Sequence, residues 1–138
     1  MEESAAPRDK NILIVDDDEG IRVVLAHVLE KEGFQVRQAV NGEDVLRAVR
    51  DKPADLIILD LMIPRYGGFE ILRHLQKEGF AKIPIIVITG RYSDRSIAEL
   101  IMQESNVADF MEKPLKLPAL LGAVHRVLKT KPGSAANS

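Results

Sequence analysis

The chain has 138 residues, of which 46% are hydrophobic and 29% charged, enough for one domain with a buried core. Its net charge of −2, from 19 basic and 21 acidic residues, does not favour a nucleic-acid or membrane surface. The lack of cysteine excludes disulfides and thiolate sites, and no apolar run approaches the roughly 20 residues of a membrane-spanning helix. We expect a soluble, cytoplasmic domain at 10–129, with a flexible lead-in at 1–9 and a flexible tail or linker at 130–138.

The first half of the chain predicts two strand–helix units and a third strand. Asn11–Val15 predicts an apolar strand. A helix follows it, and its apolar stripe consists of Ile21, Val24, Leu25, Val28 and Leu29. Gly33 predicts the end of this helix, and the alternating pattern of Phe34–Ala39 predicts a half-exposed strand. Asn41 is suited to cap a second helix, and the continuously apolar Leu56–Asp60 predicts a third strand, buried on both faces.

The second half continues the alternation. A third helix ends near Gly79, Ile83–Ile88 predicts another buried strand, and Val107–Met111 predicts a short one. The apolar residues that mark the last three helices are Phe69, Leu72 and Leu75, then Ile97, Leu100 and Ile101, then Leu117, Leu120, Leu121, Val124 and Leu128. Five strands alternating with five helices predict a flavodoxin-like, doubly wound α/β fold, in which the continuously apolar strands are central and the order is 2-1-3-4-5.

Polar side chains follow the predicted strands at one edge of this sheet. Asp16 and Asp17 follow the first strand, Asp60 ends the third, Thr89 follows the fourth and Lys113 the fifth. Because ligands bind beyond the carboxyl ends of such strands, we expect these side chains to share one crevice. Clustered carboxylates repel one another, so a divalent cation is expected, and oxygen ligands favour Mg²⁺. The ammonium and the hydroxyl suit a carboxylate or phosphoryl oxygen.

These residues resemble the receiver domain of two-component response regulators, over about residues 10–129. The segments that carry the resemblance are Val15–Glu19, Leu59–Pro64 with Gly68, Thr89-Gly90 and Lys113-Pro114, with the aromatic Phe110 nearby. Each segment alone is a weak signal. Their occurrence in this order, each at the end of a predicted strand, makes the signal strong.

The resemblance implies a phosphorylation-dependent regulatory domain rather than a conventional enzyme. It implies that Asp60 accepts a phosphoryl group from a sensor histidine kinase or a phosphotransfer protein. Lys113 would pair first with Asp60 and then with the phosphoryl group. The implied Mg²⁺ ligands are Asp17 and Asp60 directly, Asp16 through water, and the backbone carbonyl of Met62.

The resemblance also implies how the domain would signal. Thr89 would turn towards the phosphoryl group, and Phe110 would rotate into the space that Thr89 leaves. The peptide bond between Lys113 and Pro114 would be cis. The fourth helix, fifth strand and fifth helix would form the surface for partners or for a homodimer.

The sequence departs from the family pattern at one place, and two variable positions stand out. Arg65-Tyr66-Gly67-Gly68 lacks the aspartate that often precedes the final glycine, which could alter this loop and the start of the third helix. Met62 and Arg91 lie two residues after Asp60 and Thr89. In the family these positions tune how fast the acyl phosphate is hydrolysed.

Two alternatives remain open. Asp16-x-Asp18 also resembles the Asp-x-Asp motif of haloacid-dehalogenase-like phosphatases, but that family usually has an acidic pair after the lysine, and here Glu112 precedes it. The other alternative is a degenerate receiver that only binds proteins. The presence of the acidic pair, the acceptor, the hydroxyl and the lysine argues against it.

Polar residues outside the acceptor and its partners give two further expectations. Asp18 is expected to cap the first helix, whose N-terminus favours negative charge. The three histidines have no serine or cysteine partner pattern, so we expect them on the surface or in a groove. They are His27, His74 and His125.

Overall fold

The computed structural model describes residues 5–63, 67–90 and 95–132. The strands are β1 (Asn11–Val15), β2 (Gln35–Ala39), β3 (Leu56–Asp60), β4 (Ile85–Thr89) and β5 (Val107–Glu112). The helices are α1 (Glu19–Lys31), α2 (Gly42–Asp51), α3 (Gly68–Lys77), α4 (Arg95–Met102) and α5 (Leu117–Leu128). The strands form one parallel sheet in the order β2-β1-β3-β4-β5, which confirms the predicted flavodoxin-like fold. No helix in the described ranges is long and apolar enough to cross a membrane.

Two hydrophobic layers cover the sheet, one on each face. In β3, Leu56 and Ile58 pack in the layer with α1 and α5. Ile57 and Leu59 pack on the other face, in the layer with α2, α3 and α4. Every residue of β1, β3 and β4 is buried, whereas β2 and β5 are partly exposed. The prediction that the continuously apolar strands are central is therefore confirmed.

β1 and β3 have the predicted bounds, and the other three strands differ from theirs by one or two residues. β4 begins at Ile85 rather than Ile83, because Pro84 has no N–H to contribute to the sheet. β2 begins one residue later than predicted, and β5 ends one residue later. Asp18 caps α1 as expected, since its Oδ1 accepts the N–H of Ile21 at 3.2 Å.

The apolar stripe of α1 is only partly buried. Leu25 and Leu29 lie in the core, but Val24 is 50% exposed and its neighbour Val23 is 55% exposed. The N-terminal half of α1 faces the β5–α5 connection across an open groove of about 500 Å³, and this opening leaves Val24 uncovered. We call it the α1 groove. Its lining residues are Asp18, Gly20, Ile21, Val24, Leu25, Lys113, Pro114, Leu115 and Leu117.

The expectation for the histidines is wrong for His125, which is buried. Its Nδ1 lies 2.7 Å from Thr130 Oγ1 and its Nε2 lies 2.8 Å from Glu32 Oε1. The backbone N–H of Ala5 donates to the carbonyl of Lys129 at 2.9 Å, next to this cluster. The sequence did contain a signal for this burial, because His125 lies four residues after Leu121 and three before Leu128, both in the apolar stripe of α5.

Candidate functional site

Three carboxylates meet at the carboxyl edge of the sheet. β1 and β3 are neighbours whose last paired residues are Val15 and Leu59, so Asp16 and Asp60 follow at the same level. Asp16 and Asp60 are buried, whereas Asp17 is exposed. One oxygen from each of the three lies within 4.8 Å of the others, so they could hold one metal ion. The predicted acidic cluster is therefore brought together by the fold.

Asp16 is held at each of its polar groups. Its N–H donates to the carbonyl of Ala39 at 3.2 Å. Its Oδ1 accepts the N–H of Asp18 at 2.9 Å, and its Oδ2 accepts Lys113 Nζ at 2.8 Å. Its own carbonyl accepts Nη1 of Arg22 at 2.8 Å. The position of Asp16 is thus determined by contacts from both neighbouring backbone and side chains.

Asp60 is held by fewer hydrogen bonds than Asp16, and its surroundings shift its pKa. Its Oδ1 accepts the N–H of Met62 at 3.0 Å, and its Oδ2 accepts Lys113 Nζ at 3.3 Å. Burial raises the pKa of Asp60, and the nearby Asp16 charge adds to the rise. The Met62 N–H and the Lys113 ammonium act in the opposite direction but do not cancel it. A further cation near Asp60 would therefore stabilise its ionised form.

Lys113 is the cation that the described residues supply to this cluster, through the contacts given above to Asp16 and Asp60. Burial by itself lowers the pKa of Lys113, but the hydrogen bond to Asp16 and the charges of both carboxylates outweigh it, so the net shift is upward. Lys113 therefore stays an ammonium ion. Gly90 adjoins the lysine stem: a Cβ added there would lie 3.4 Å from Cδ of Lys113, an ordinary van der Waals contact.

Thr89 and Phe110 lie on the same side of the sheet. Thr89 is buried, and its carbonyl accepts the N–H of Lys113 at 2.8 Å. Phe110 is partly buried and is paired in register with Val87, two residues before Thr89. Because side chains alternate along a strand, Val87 and Thr89 share the face on which Phe110 packs. The peptide bond that follows Lys113 is cis, as the resemblance implies.

Gly68 fixes the connection that follows Asp60. A Cβ added at Gly68 would lie 2.7 Å from Cδ1 and 2.8 Å from Cα of Leu61, closer than real contacts allow. The Gly68 N–H donates to the Leu61 carbonyl at 3.0 Å. Met62, whose carbonyl is a predicted metal ligand, has a side chain that is 61% exposed. Residues 64–66 and Arg91, which the sequence analysis singled out, lie outside the described residues.

Arg22 contacts this site although no sequence motif predicted it. Besides its bond to the Asp16 carbonyl, Nε of Arg22 donates to Oε1 of Gln38 at 3.1 Å. A side-chain bond to a backbone carbonyl leaves no residue-type pattern in a sequence. The available signal was its place on the first turns of a helix that begins right after the acidic pair.

The family model described as the response regulator receiver domain matches residues 12–125, which include all of the acidic cluster and Lys113. The chain belongs to this family. As a receiver domain it is a regulatory phosphorylation module, and the resemblance stated from the sequence is confirmed.

Several relatives of this receiver domain can be named. Response regulator MprA of Mycobacterium leprae is 38% identical over 130 residues, covering 92% of this chain and 55% of that protein. Transcriptional regulatory protein AfsQ1 of Streptomyces coelicolor is 34% identical over 119 residues, covering 86% of this chain and 51% of that protein. The chain thus spans about half the length of these curated relatives.

Solved structures support the same assignment. The signal receiver domain of a signal transduction histidine kinase from Syntrophus aciditrophicus matches with a TM-score of 0.76 and 32% identity. The match covers 86% of this chain and 89% of that one. Chemotaxis response regulator CheY4 of Vibrio cholerae matches with a TM-score of 0.77 and 28% identity, over 86% of this chain and 98% of that one.

Proposed function

We propose that this receiver domain is a phosphoacceptor switch in which Asp60 takes a phosphoryl group from a sensor histidine kinase or a phosphotransfer protein. The observation that carries the proposal is the surroundings of Asp60 at the open edge of the sheet. Lys113 Nζ lies 3.3 Å from Asp60 Oδ2, and two further carboxylates lie within metal-sharing distance. A strand-end aspartate with a purely structural role would not need both a cation and a second pair of acids.

The proposed reaction transfers a phosphoryl group from a histidine nitrogen to an aspartate oxygen. A carboxylate oxygen of Asp60 attacks the phosphorus of a phosphohistidine. A P–O bond forms as the P–N bond breaks, and the imidazole leaves with the electron pair of that bond. Lys113, kept protonated by its raised pKa, donates a hydrogen bond to the transferred group and offsets its charge.

The acidic cluster fits a hard divalent cation. Three carboxylates against one ammonium leave an excess negative charge of two (three minus one) in a small volume. Asp17 is exposed and has no hydrogen-bond partner among the described residues. Bound Mg²⁺ would stabilise the charge that develops on the phosphoryl group. Its proposed ligands are Asp17 and Asp60 directly, Asp16 through water, and the carbonyl of Met62.

The proposed signal passes through Thr89 and Phe110. The hydroxyl of Thr89 would donate a hydrogen bond to a phosphoryl oxygen, and Phe110 would rotate into the space that Thr89 leaves. Their common face of β4 and β5 supports this coupling, because the two side chains are neighbours without an intervening strand. The α4–β5–α5 surface would then change. Exposed Leu100 and Met102 on α4 make it an apolar surface for a partner or a second copy.

The α1 groove is the surface that we propose for the phosphodonor. It is apolar, it is bordered by Lys113, and Val23 and Val24 are exposed on the helix beside it. A donor that covers this groove would bring its phosphohistidine to the edge of the sheet where Asp60 lies and exclude water from the transfer. With such a kinase as donor, we place the domain in the cytoplasm.

The phosphatase alternative is less well supported. It would use Asp16 as the nucleophile, but Asp16 is the more enclosed of the two buried acids: its side chain is 0% exposed against 6% for Asp60, and its Oδ2 lies closer to Lys113 Nζ, at 2.8 Å against 3.3 Å. The second aspartate of the Asp-x-Asp motif, Asp18, is occupied in capping α1.

The test is the intact mass of the protein after incubation with acetyl phosphate and Mg²⁺. We expect the wild type to gain the mass of one phosphoryl group, Asp60→Asn to gain none, and Asp51→Asn, which changes an exposed acid on α2, to behave as the wild type. Labelling of Asp60→Asn would move the acceptor elsewhere. A wild type labelled neither by acetyl phosphate nor by a phosphorylated kinase would favour the degenerate receiver.

A further inference from the structure

Arg22 joins the acidic loop to the edge of the sheet. It lies on the first turns of α1, and its Nη1 donates to the carbonyl of Asp16 at 2.8 Å. Its Nε donates to Oε1 of Gln38, on β2, at 3.1 Å. One planar guanidinium therefore spans the β1–α1 loop and the neighbouring strand. Its rigid fork makes this double contact stiffer than one from a flexible ammonium.

The bond to Asp16 acts on Asp17 as well. The carbonyl of Asp16 belongs to the peptide unit that connects the two residues, and this unit is planar. Fixing its oxygen therefore fixes where the backbone of Asp17 begins. Asp16 has other anchors, from Ala39, Asp18 and Lys113. The exposed Asp17 has no side-chain partner among the described residues, so its carboxylate depends on the backbone for its direction.

We propose that Arg22 is a positioning residue for the Mg²⁺ site: it aims the Asp17 carboxylate by holding the Asp16 peptide. The proposal rests on the proposed function only in taking the acidic cluster as the Mg²⁺ site. Arg22 itself does not touch the ion or the phosphoryl group, because its donors are directed at a backbone carbonyl and at an amide.

Two possible roles for Arg22 predict opposite changes in Mg²⁺ affinity when the side chain is removed. If its positive charge were all that mattered, removing it would strengthen Mg²⁺ binding, since a nearby cation repels the ion. If Arg22 positions the ligand, removing it frees the loop and weakens Mg²⁺ binding, because the loop must then be ordered when the ion binds. Measuring the sign therefore separates positioning from charge.

The experiment is calorimetric titration of the full chain with Mg²⁺, together with thermal unfolding of each variant. Arg22→Met removes both donors and the charge while keeping an apolar stem. We expect its Mg²⁺ dissociation constant to rise about tenfold, equivalent to about 1.4 kcal/mol, as the cost of ordering the freed loop when the ion binds. Arg22→Lys keeps the charge and one donor, and we expect it to regain part of the lost affinity.

Two more variants complete the design. Gln38→Ala removes only the outer contact of the guanidinium, so we expect a weakening about two- to threefold, smaller than that of Arg22→Met. Arg73→Met is the matched control, since it removes an exposed arginine on α3 that pairs with Glu104. We expect Arg73→Met to bind Mg²⁺ as the wild type does.

The outcomes separate this inference from the proposed function. An Arg22→Met protein that binds Mg²⁺ as tightly as the wild type, or more tightly, would overturn the positioning role even if its melting temperature falls. An Arg22→Lys protein no better than Arg22→Met would also count against it. In either case Asp60 can still be labelled, so the acceptor assignment would stand. Failure of wild-type labelling would instead remove the acceptor assignment and leave the calorimetric comparison intact.

Discussion

Replacing Asp60 by asparagine should stabilise the fold in the absence of divalent cations. Because the pKa of Asp60 in the folded protein is raised above its ordinary value of 3.8, the folded state holds the proton more tightly than the unfolded chain does. The stability that this group contributes is present below that value and is lost as the pH rises through the folded-state pKa. At neutral pH the ionised Asp60 therefore destabilises the fold, and asparagine removes that effect.

The magnitude follows from the contacts. At an effective dielectric constant of about 20, repulsion from the buried Asp16 carboxylate within 4.8 Å and attraction to Lys113 at 3.3 Å are each of order 3–5 kcal/mol and opposite in sign, so they largely cancel. Repulsion from the exposed Asp17 is screened by solvent. What remains is the free-energy cost of burying the ionised Asp60 carboxylate. Asparagine can still accept the Met62 N–H. We therefore expect a gain of about 1–2 kcal/mol, or a rise of a few degrees in the melting temperature.

The assay is urea and thermal unfolding of the wild type and Asp60→Asn with a chelator present, across a range of pH. The advantage of Asp60→Asn should be largest at neutral pH and should shrink as the pH falls towards 3.8. Added Mg²⁺ should stabilise the wild type more than the variant and narrow the gap. The control Asp51→Asn removes an exposed acid from the last residue of α2, so we expect at most the helix-dipole gain of about 0.3–1 kcal/mol, and this gain should not respond to Mg²⁺. An Asp60→Asn protein that is equally or less stable at neutral pH would refute this account of the buried charge.

Lys113→Ala should still bind Mg²⁺, but acetyl phosphate should label it about 10²-fold more slowly than the wild type. Unchanged labelling together with unchanged partner affinity would contradict the proposed role of Lys113 in stabilising the transferred phosphoryl group. Gly68→Ala should lower the free energy of unfolding, measured by chemical denaturation, by about 1–3 kcal/mol, because its Cβ would overlap Leu61. Gly67→Ala should lower it much less, because nothing lies within 4 Å of a Cβ at that position. Equal losses in the two variants would argue against the overlap. His125→Leu should lower the free energy of unfolding by about 1–3 kcal/mol, because it loses the two hydrogen bonds of the ring. Acetyl phosphate should still label this variant at the wild-type rate. Slower labelling would show that the His125 cluster influences the site around Asp60.

The fold could be predicted because its strongest signals are local. The apolar run at Leu56–Asp60 needs two covered faces, and only a central parallel strand supplies them. Asp16, Asp60 and Lys113 come together because the carboxyl ends of parallel strands share one edge. That rule needs only the strand order, and the doubly wound order 2-1-3-4-5 is consistent with the continuously apolar strands being central.

What the sequence could not predict depends on side-chain packing between distant segments. Val24 belongs to the apolar stripe of α1, yet it faces the α1 groove because the β5–α5 connection does not close over it. The place of His125 on the α5 stripe indicated its burial, but its contact with Glu32 could not be predicted, because the two residues lie 93 positions apart along the chain. Arg22 contacts a backbone carbonyl, which every residue carries, so no pattern of residue types could indicate it.

The central claim is that one carboxylate among the three accepts the phosphoryl group and does so with a divalent cation. The most direct measurement is to label the wild type with acetyl phosphate, reduce the acyl phosphate with borohydride, and locate the reduced aspartate by peptide mass spectrometry. We predict modification at Asp60 alone, and only when Mg²⁺ is present. Modification at Asp16, or at Asp60 to the same extent with a chelator in place of Mg²⁺, would contradict the account.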